Sequence, residues 1–486
     1  MDDGRLPELA GLGAFIEAKM PDWNTPGLAV GIVKDGAVVL AAGYGYRNIE
    51  KGLKVTPRTL FANASTSKAF TAAALGMLVE EGKLTWDTPV RHYLPAFNLG
   101  DSVAAERLTL RDLLSHRTGY PRHDKVWYHS TLSAAEIVGR LPHLEANYDI
   151  RSAWQYNNIM YVAAGQVLEK VAGTTWEEFV RERIFEPLGM RRSNFSVHTS
   201  QTDADHAVPY EVDSGKLTAV PFLAVDNIGP AGGINSCVEE MLPWLLLNLN
   251  QGKHGTAQIV PERALAEIHK PQCVAQSFVP GIHPEMPLST YGFGWFIEPY
   301  RGYKTVYHVG SLDGFYAYVS FIPEERVGLV VFTNSNPNRF PYVLCYHIYD
   351  RLLGLPPIDW NARLLAAAAK VSEEEARQRT AIAARRDAAV PPSCPLAAYV
   401  GTYEHPGYGR LVVSAAEQLQ ILYNGITVAL RPNRGDTFEF MGNVKPFRPV
   451  MTLTFHPEGG KVDRLSAPFE PAPGASPVIF RRVGQA

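Results

Sequence analysis

At 486 residues with 46% hydrophobic side chains, the chain is longer than one hydrophobic core usually holds and too apolar for a disordered polymer, so two folded domains are expected. Its 46 basic and 49 acidic residues leave a formal charge of -3, which gives no global field to attract nucleic acid or an anionic membrane surface. Cys237, Cys273, Cys345 and Cys394 form neither a CxxC pair nor a Cys/His cluster at ligand spacing. This argues against a zinc site and a disulfide framework, and the thiols read as buried and free.

Taken in chain order, Met1-Asp2-Asp3-Gly4-Arg5 lacks a basic patch leading into an apolar run, and no later segment reaches the roughly 18 apolar residues of a membrane helix. The chain as written reads as soluble and cytoplasmic, or exported if a signal segment has been removed. Leu28–Val33 and Val38–Ala42 are apolar strands joined through Asp35-Gly36, a hairpin signal. From Thr66 to Glu81 the pattern becomes helical, with Phe70, Ala73, Ala74, Met77 and Leu78 along one stripe and Gly82 placed to stop it. This buried helix is expected to hold Ser65 at its N-terminal end.

Thr109-Leu110-Arg111-Asp112 has the form of a capping box, with Gly119 as the stop. Residues 159–172, 175–184 and 238–250 read as helices, and 292–298, 304–309, 315–322 and 327–333 as strands. A sheet assembled from both ends of this region, with the intervening helices over it, is an α+β layering. Residues 361–390 predict a further helix, from Leu364-Leu365 through the alanine run to Glu373-Glu374-Glu375, ended by Pro391-Pro392. Beyond Leu396, short alternating segments such as Gly409–Val413, Leu419–Tyr423, Met451–Phe455 and Val478–Phe480 suggest a small antiparallel barrel or sandwich. The expected domains are 1–360, a helical linker at 361–395, and 396–486.

The chemistry begins at Ser65-Thr66-Ser67-Lys68. A serine hydroxyl must lose its proton as it attacks, so a base must stand within hydrogen-bond reach. On a helix, residues three apart share a face one turn apart, so the Lys68 amine can reach the Ser65 hydroxyl. A lysine serves as base only where burial or a neighbouring cation disfavours its charge, and the apolar helix around Lys68 meets that condition. Backbone N–H groups at the helix start, including that of Ser65, are placed to face a developing oxyanion. Taken alone, S-x-x-K is a weak motif and equally describes a capping serine with a solvated lysine.

Five further islands accompany Leu60–Lys68 in order: Leu113-Leu114-Ser115-His116-Arg117-Thr118-Gly119, Tyr156-Asn157-Asn158, Phe185–Met190, Ala231-Gly232-Gly233 and His308-Val309-Gly310. With them the chain, from about Pro26 to residue 355, resembles the penicillin-recognising serine hydrolases: class C β-lactamases, D,D-peptidases, D-aminopeptidases and their esterase relatives. The resemblance implies a β-lactamase/transpeptidase-like antiparallel sheet flanked by helices. It implies Ser65 as the acylated nucleophile, Lys68 as its base, and Tyr156 as the residue that shares proton transfer with Lys68 and protonates the leaving group. Asn158 would hydrogen-bond Lys68 and a substrate amide. Gly310 would let an edge strand approach the substrate, and the Ser311 N–H would pair with that of Ser65 as an oxyanion hole, on the order of 3 kcal/mol per donor.

His308 stands where many members carry the lysine of a Lys-Thr/Ser-Gly triplet. A fixed cation suits a substrate carboxylate, whereas a largely neutral histidine donates a directed hydrogen bond, so His308 is expected to bind substrate in that way. His-x-Gly occurs among the family's aminopeptidases and esterases, which argues against a dedicated β-lactamase or carboxypeptidase. His116 with Asp112 invites a Ser-His-Asp reading, but the sequence shows no triad geometry, and a histidine near a helix C-terminus reads as a capping group. Arg122-His123-Asp124 with Trp127, Tyr128 and His129 reads as an ordinary loop rather than a pocket rim.

Tyr399-Val400-Gly401-Thr402-Tyr403 resembles the lipocalin-like barrels appended to some members; ligand binding, substrate gating and oligomer formation are each compatible with such a barrel. The expected function is cleavage of an amide or ester through an acyl-enzyme on Ser65, in small peptides or amides containing a D-amino acid. A carboxylesterase or acyltransferase on a small-molecule ester, and a slow-turnover penicillin-binding protein, use the same residues. No metal or organic cofactor is needed for this chemistry. The expected partner is a small-molecule or short-peptide substrate, with a homo-oligomer compatible and no nucleic acid.

Overall fold

The apolar run after Pro26 forms β1 (Gly27–Lys34), which turns through Asp35 and Gly36, both at positive φ, into β2 (Ala37–Asn48). The computed structural model describes residues 6–213, 216–277, 286, 288–386, 390–441, 447, 451–470, 472 and 474–484. It contains two compact units. The first comprises Met1–Pro95, Arg107–Thr118 and Met160–Leu365; the second comprises Ala96–Glu106, Gly119–Ile159 and Ala366–Ala486.

In the first unit, β3 (Leu53–Lys54), β4 (Cys273–Val274), β5 (Thr290–Tyr291), β6 (Phe296–Tyr300), β7 (Tyr303–Leu312), β8 (Phe315–Ile322) and β9 (Val327–Thr333) join the first hairpin. The nine-stranded sheet runs β4-β5-β6-β7-β8-β9-β1-β2-β3, so the two ends of the region meet at the β9–β1 pair. Every strand pair in it is antiparallel. The strand expected over 292–298 is interrupted by a turn at Gly294, which has a φ of 73°.

Helices cover both faces of this sheet, which explains why β9 is buried at every position rather than alternating. On one face lies α4 (Val238–Leu249), whose Leu242, Leu245 and Leu249 fill the room left by Gly31 and Gly328. On the other lies α5 (Phe340–Leu352), with Tyr342 edge-on to Tyr318 and Tyr349 hydrogen-bonded to Ser320. The helix α1 (Ser67–Glu80) packs on α4 through Phe70 and Trp244, whose rings stack with centroids 4.0 Å apart. Burying Phe70 there contributes roughly 2–3 kcal/mol. Register then fixes orientation: His308 pairs with Val319 and Val319 with Val330, so His308 lies on the face that carries α4, whereas Tyr307 pairs with Ser320 and faces α5.

The capping box forms as expected at the start of α2 (Leu110–Leu114), with Thr109 and Asp112 bonding each other's backbone N–H. The helix stops earlier than Gly119, because His116 already adopts a left-handed φ of 59°. α3 spans Asn158–Ala172, while the helix expected over 175–184 is a composite: Trp176–Val180, a π-turn at Arg181–Phe185, then Glu186–Leu188 before Gly189. α6 (Trp360–Arg386) is the long helix expected after residue 360; residues 387–389 lie outside the described residues.

In the second unit the C-terminal strands close into an eight-stranded antiparallel barrel. They are β10 (Gly401–His405), β11 (Gly409–Ala415), β12 (Leu419–Tyr423), β13 (Ile426–Arg434), β14 (Thr437–Phe440), β15 (Thr452–Glu458), β16 (Lys461–Ala467) and β17 (Val478–Arg482). Pairing of Tyr403 with Arg482 and Glu404 with Arg481 closes it, and this settles barrel over sandwich. Strand alternation sends Tyr403, Leu411, Ile421, Leu430, Leu453 and Phe480 inward, all with 0% exposure. Among the described residues, no helix is long and apolar enough to cross a membrane.

Candidate active site

Ser65 sits in a single 3-10 turn, Ala64–Thr66, that leads into α1. Ala64 holds a φ of 48°, a conformation that costs a non-glycine residue roughly 1 kcal/mol and persists only where the surroundings enforce it. The enforcement is visible. Phe61-Ala62 pairs with Asn235-Ser236, and the Asn63 N–H donates to the Ile234 carbonyl at 2.9 Å. The Ser67 hydroxyl donates to the Ala64 carbonyl at 2.7 Å and accepts from the Ile234 N–H at 3.0 Å.

Ser65 is half-buried, whereas Lys68 is 0% exposed. The Lys68 Nζ donates to the Ser65 Oγ at 3.3 Å and to the Ala231 carbonyl at 2.7 Å, and it lies 5.2 Å from the centre of the Tyr161 ring. The first distance is at the outer edge of hydrogen-bond reach. One turn on, Thr71 donates to the Pro230 carbonyl at 2.7 Å, so the buried N-terminal end of the helix is laced to the Gly229–Gly232 turn.

Strand β7 comes up against this turn. β6 pairs with β7 only from Tyr303 to Tyr307, and beyond that point β7 packs against the Ala64–Thr66 turn instead. A Cβ on Gly310 would stand 2.0 Å from the Asn63 carbonyl oxygen, so this close approach requires glycine. The turn before β6 presses from the other side: a Cβ on Gly294 would lie 2.8 Å from the Lys68 backbone. Ser311 is exposed, and its hydroxyl exchanges hydrogen bonds with the Asn336 side chain.

His308 is 0% exposed. Its Nδ1 lies 2.7 Å from the Val309 carbonyl and its Nε2 lies 2.9 Å from the Tyr291 hydroxyl. A carbonyl only accepts, so Nδ1 carries the proton and Nε2 accepts from Tyr291. Burial, with the Lys68 charge nearby, pushes the imidazole pKa down to about 3. The ring is neutral, in keeping with the sequence reading, but the hydrogen bond that Nδ1 donates goes to its own strand.

Asp112 is spoken for elsewhere: one carboxylate oxygen accepts from the Arg117 Nε at 2.6 Å and the other from the Thr109 N–H and hydroxyl. Its geometry is that of a cap, not of a triad member. His116, fully buried, lies ring to ring with Tyr161 and Tyr291 at 5.2 and 4.9 Å. Cys237 and Cys345 are buried and Cys273 and Cys394 half-buried, all four free.

Tyr156 and Asn158 belong to the second unit, and the segment that read as an ordinary loop holds them there. The Arg122 guanidinium lies 4.9 Å above the Tyr156 ring and donates to an Asp124 carboxylate oxygen at 2.6 Å. The other Asp124 oxygen accepts from the Trp127 indole at 2.8 Å and from Asn158 Nδ2 at 3.0 Å. A carboxylate only accepts, so this contact fixes which way the Asn158 amide points. The density of charged and aromatic residues from Arg122 to His129 was the available signal for this cluster.

Residues 12–348 match the Beta-lactamase family, and residues 385–482 match a domain of unknown function, DUF3471. The unguisins hydrolase ungD' of Aspergillus campestris is 29% identical over 429 residues, 84% of this chain and 78% of that relative. The octameric penicillin-binding protein homologue from Pyrococcus abyssi superposes with a TM-score of 0.64 at 24% identity, covering 99% of this chain and 100% of its own. The D-amino acid amidase from Ochrobactrum anthropi SV3, solved with L-phenylalanine amide, superposes with a TM-score of 0.57 at 20% identity, over 71% of this chain and 98% of that one. The chain therefore belongs to the Beta-lactamase family, and it is a serine hydrolase of that type.

Proposed function

We propose that this member of the Beta-lactamase family cleaves an amide or ester through an acyl-enzyme on Ser65, with small peptides or amides containing a D-amino acid as its substrates. The observation that carries the reading is the buried Lys68 amine 3.3 Å from the Ser65 hydroxyl, on a turn whose strained Ala64 is locked from several sides. In this reading Lys68 takes the Ser65 proton as the hydroxyl attacks the substrate carbonyl, and the N–H groups of Ser65 and Ser311 receive the oxyanion. Tyr156 shares that proton with Lys68 and delivers it to the leaving group, Asn158 meets the substrate amide, and water then releases the acyl group.

His308 takes a positioning role in this scheme: through Val309 and Tyr291 it stiffens the strand that brings Gly310 and Ser311 to the nucleophile. A neutral, buried imidazole offers no fixed charge to a substrate carboxylate, which favours neutral amides and esters over carboxylate-terminated peptides. The hydrolase and amidase activities named for the Aspergillus and Ochrobactrum proteins point the same way. Turnover of matched D- and L-amino-acid amides and of their esters, with and without an added amine acceptor, tests the substrate class. Faster D-amide hydrolysis supports it; ester turnover alone supports the carboxylesterase reading, and product transfer to the amine the acyltransferase reading.

A further inference from the structure

We infer that the C-terminal barrel is a clamp that positions the Tyr156–Asn158 end of the site, through a turn centred on Asp124. The inference rests on the reading of Tyr156 and Asn158 as site residues given above, and all of its contacts lie within the second unit.

The first half of the coupling joins the two ends of the 119–159 segment. Gln155 donates to the Gly119 carbonyl at 2.7 Å, Asn157 to the Pro121 carbonyl at 2.5 Å, and Asn158 to Asp124 at 3.0 Å. Residues 155–158 therefore cannot shift without residues 119–124. The second half joins that turn to the barrel. Asn424, at the tip of the β12–β13 hairpin, donates through one amide to the carbonyls of both Lys125 and Tyr128, each at 3.0 Å. The Tyr423 hydroxyl donates to the same Lys125 carbonyl at 2.9 Å, and the Lys125 ammonium donates to the Phe469 carbonyl at 2.6 Å. The Glu470 carboxylate accepts the His123 N–H at 2.6 Å.

These are costly groups to bury, and they are spent on one short turn. Lys125 is 6% exposed and Glu470 6% exposed, and His123 is held at a φ of 48°. A barrel that merely followed the catalytic domain would not need to satisfy the backbone of Asp124's neighbours with its own side chains.

Asn424 allows a clean test. It has a φ of 46° and precedes Gly425 in the hairpin, so Asn424→Gly keeps the backbone conformation while removing the amide. Asn424→Asp keeps shape and backbone preference but cannot donate to a carbonyl, and it stands in should the glycine variant fail to fold. Hydrogen exchange is read first, because it needs no substrate: peptides over 119–130 and 154–159 are expected to exchange about tenfold faster in either variant, with the α1 peptide unchanged. Unchanged protection in both regions overturns the inference.

The catalytic readout separates positioning from general weakening. Hydrolysis of an anilide needs a proton delivered to the leaving amine, whereas an activated p-nitrophenyl ester does not. The variants are expected to lose about tenfold on D-alanine p-nitroanilide, little on p-nitrophenyl butyrate, and nothing further when combined with Tyr156→Phe. If Tyr156→Phe lowers anilide turnover and Asn424→Gly does not, the clamp is wrong while the reading of Tyr156 stands. If Tyr156→Phe has no effect, that reading fails and the clamp's catalytic role falls with it.

Discussion

At the scale of single residues, the account depends on two positions where nothing larger or differently charged fits. Replacing Lys68 with Met keeps a long side chain in a buried slot but removes the amine that the proposed mechanism uses as base, and on that proposal kcat is expected to fall 100- to 10,000-fold, in the range general-base removal costs. Gly310→Ala makes a purely steric demand, since its Cβ would meet the Asn63 carbonyl oxygen at 2.0 Å. Strand and turn must separate by about 1 Å, and a displacement of that size at reacting groups costs about 100-fold. Steady-state kcat/KM on an ester, with thermal melting to confirm the fold, checks both variants; wild-type activity in Gly310→Ala would remove the close approach from the account. His308 shows what the sequence could and could not convey. Its neutrality was legible from residue type, but the partners that fix its tautomer, Tyr291 on β5 and its own next carbonyl, depend on a strand pairing across the turn at Gly294.

At the scale of elements, the site is a junction of a helix start, a strand end and a turn. Gly294→Ala places a side chain on a residue with a φ of 73° and presses it to within 2.8 Å of the Lys68 backbone. A loss of roughly 1–3 kcal/mol in urea unfolding is expected, with activity falling as Lys68 shifts; an unchanged midpoint and rate would contradict it. Long elements were legible in the sequence: the first hairpin and α1 from their apolar patterns and the Asp-Gly or Gly that bounds them, β8 and β9 from continuous runs rich in β-branched and aromatic residues. Where element boundaries differ from the sequence pattern, the causes are local. α2 ends at Leu114 because the non-glycine residue His116 takes the left-handed position just beyond it, and the 175–184 helix breaks into a π-turn that no residue pattern announces. The segment from Arg122 to His129 reads as an ordinary loop in the sequence because its partners, Tyr156 and Asn158, lie some thirty residues downstream, beyond any periodic signal.

At the scale of the whole molecule, burial of neutral imidazoles sets the response to acid. His123 is pushed down to about 4 and His308 to about 3, both by burial. Unfolded imidazoles bind protons as pH falls past about 6.5 while the folded ones do not, so the stability they contribute is full above that value and is lost as pH falls toward 4 and 3. At pH 5 the loss is about 2 kcal/mol for each. Glu298 and Glu470, held above the ordinary carboxylate range by burial, act in the opposite sense, so the comparison is with His308→Gln, which should show a shallower fall in urea midpoint between pH 7.5 and 5. Parallel falls in the two proteins would contradict this account of His308. The central claim, that Ser65 is acylated, is tested most directly by intact mass and peptide mapping after incubation with a penicillin and, separately, a phosphonate ester. The account predicts one adduct, on Ser65 and absent from Ser65→Ala; an adduct that survives in Ser65→Ala, or none with either reagent on folded protein, would contradict it.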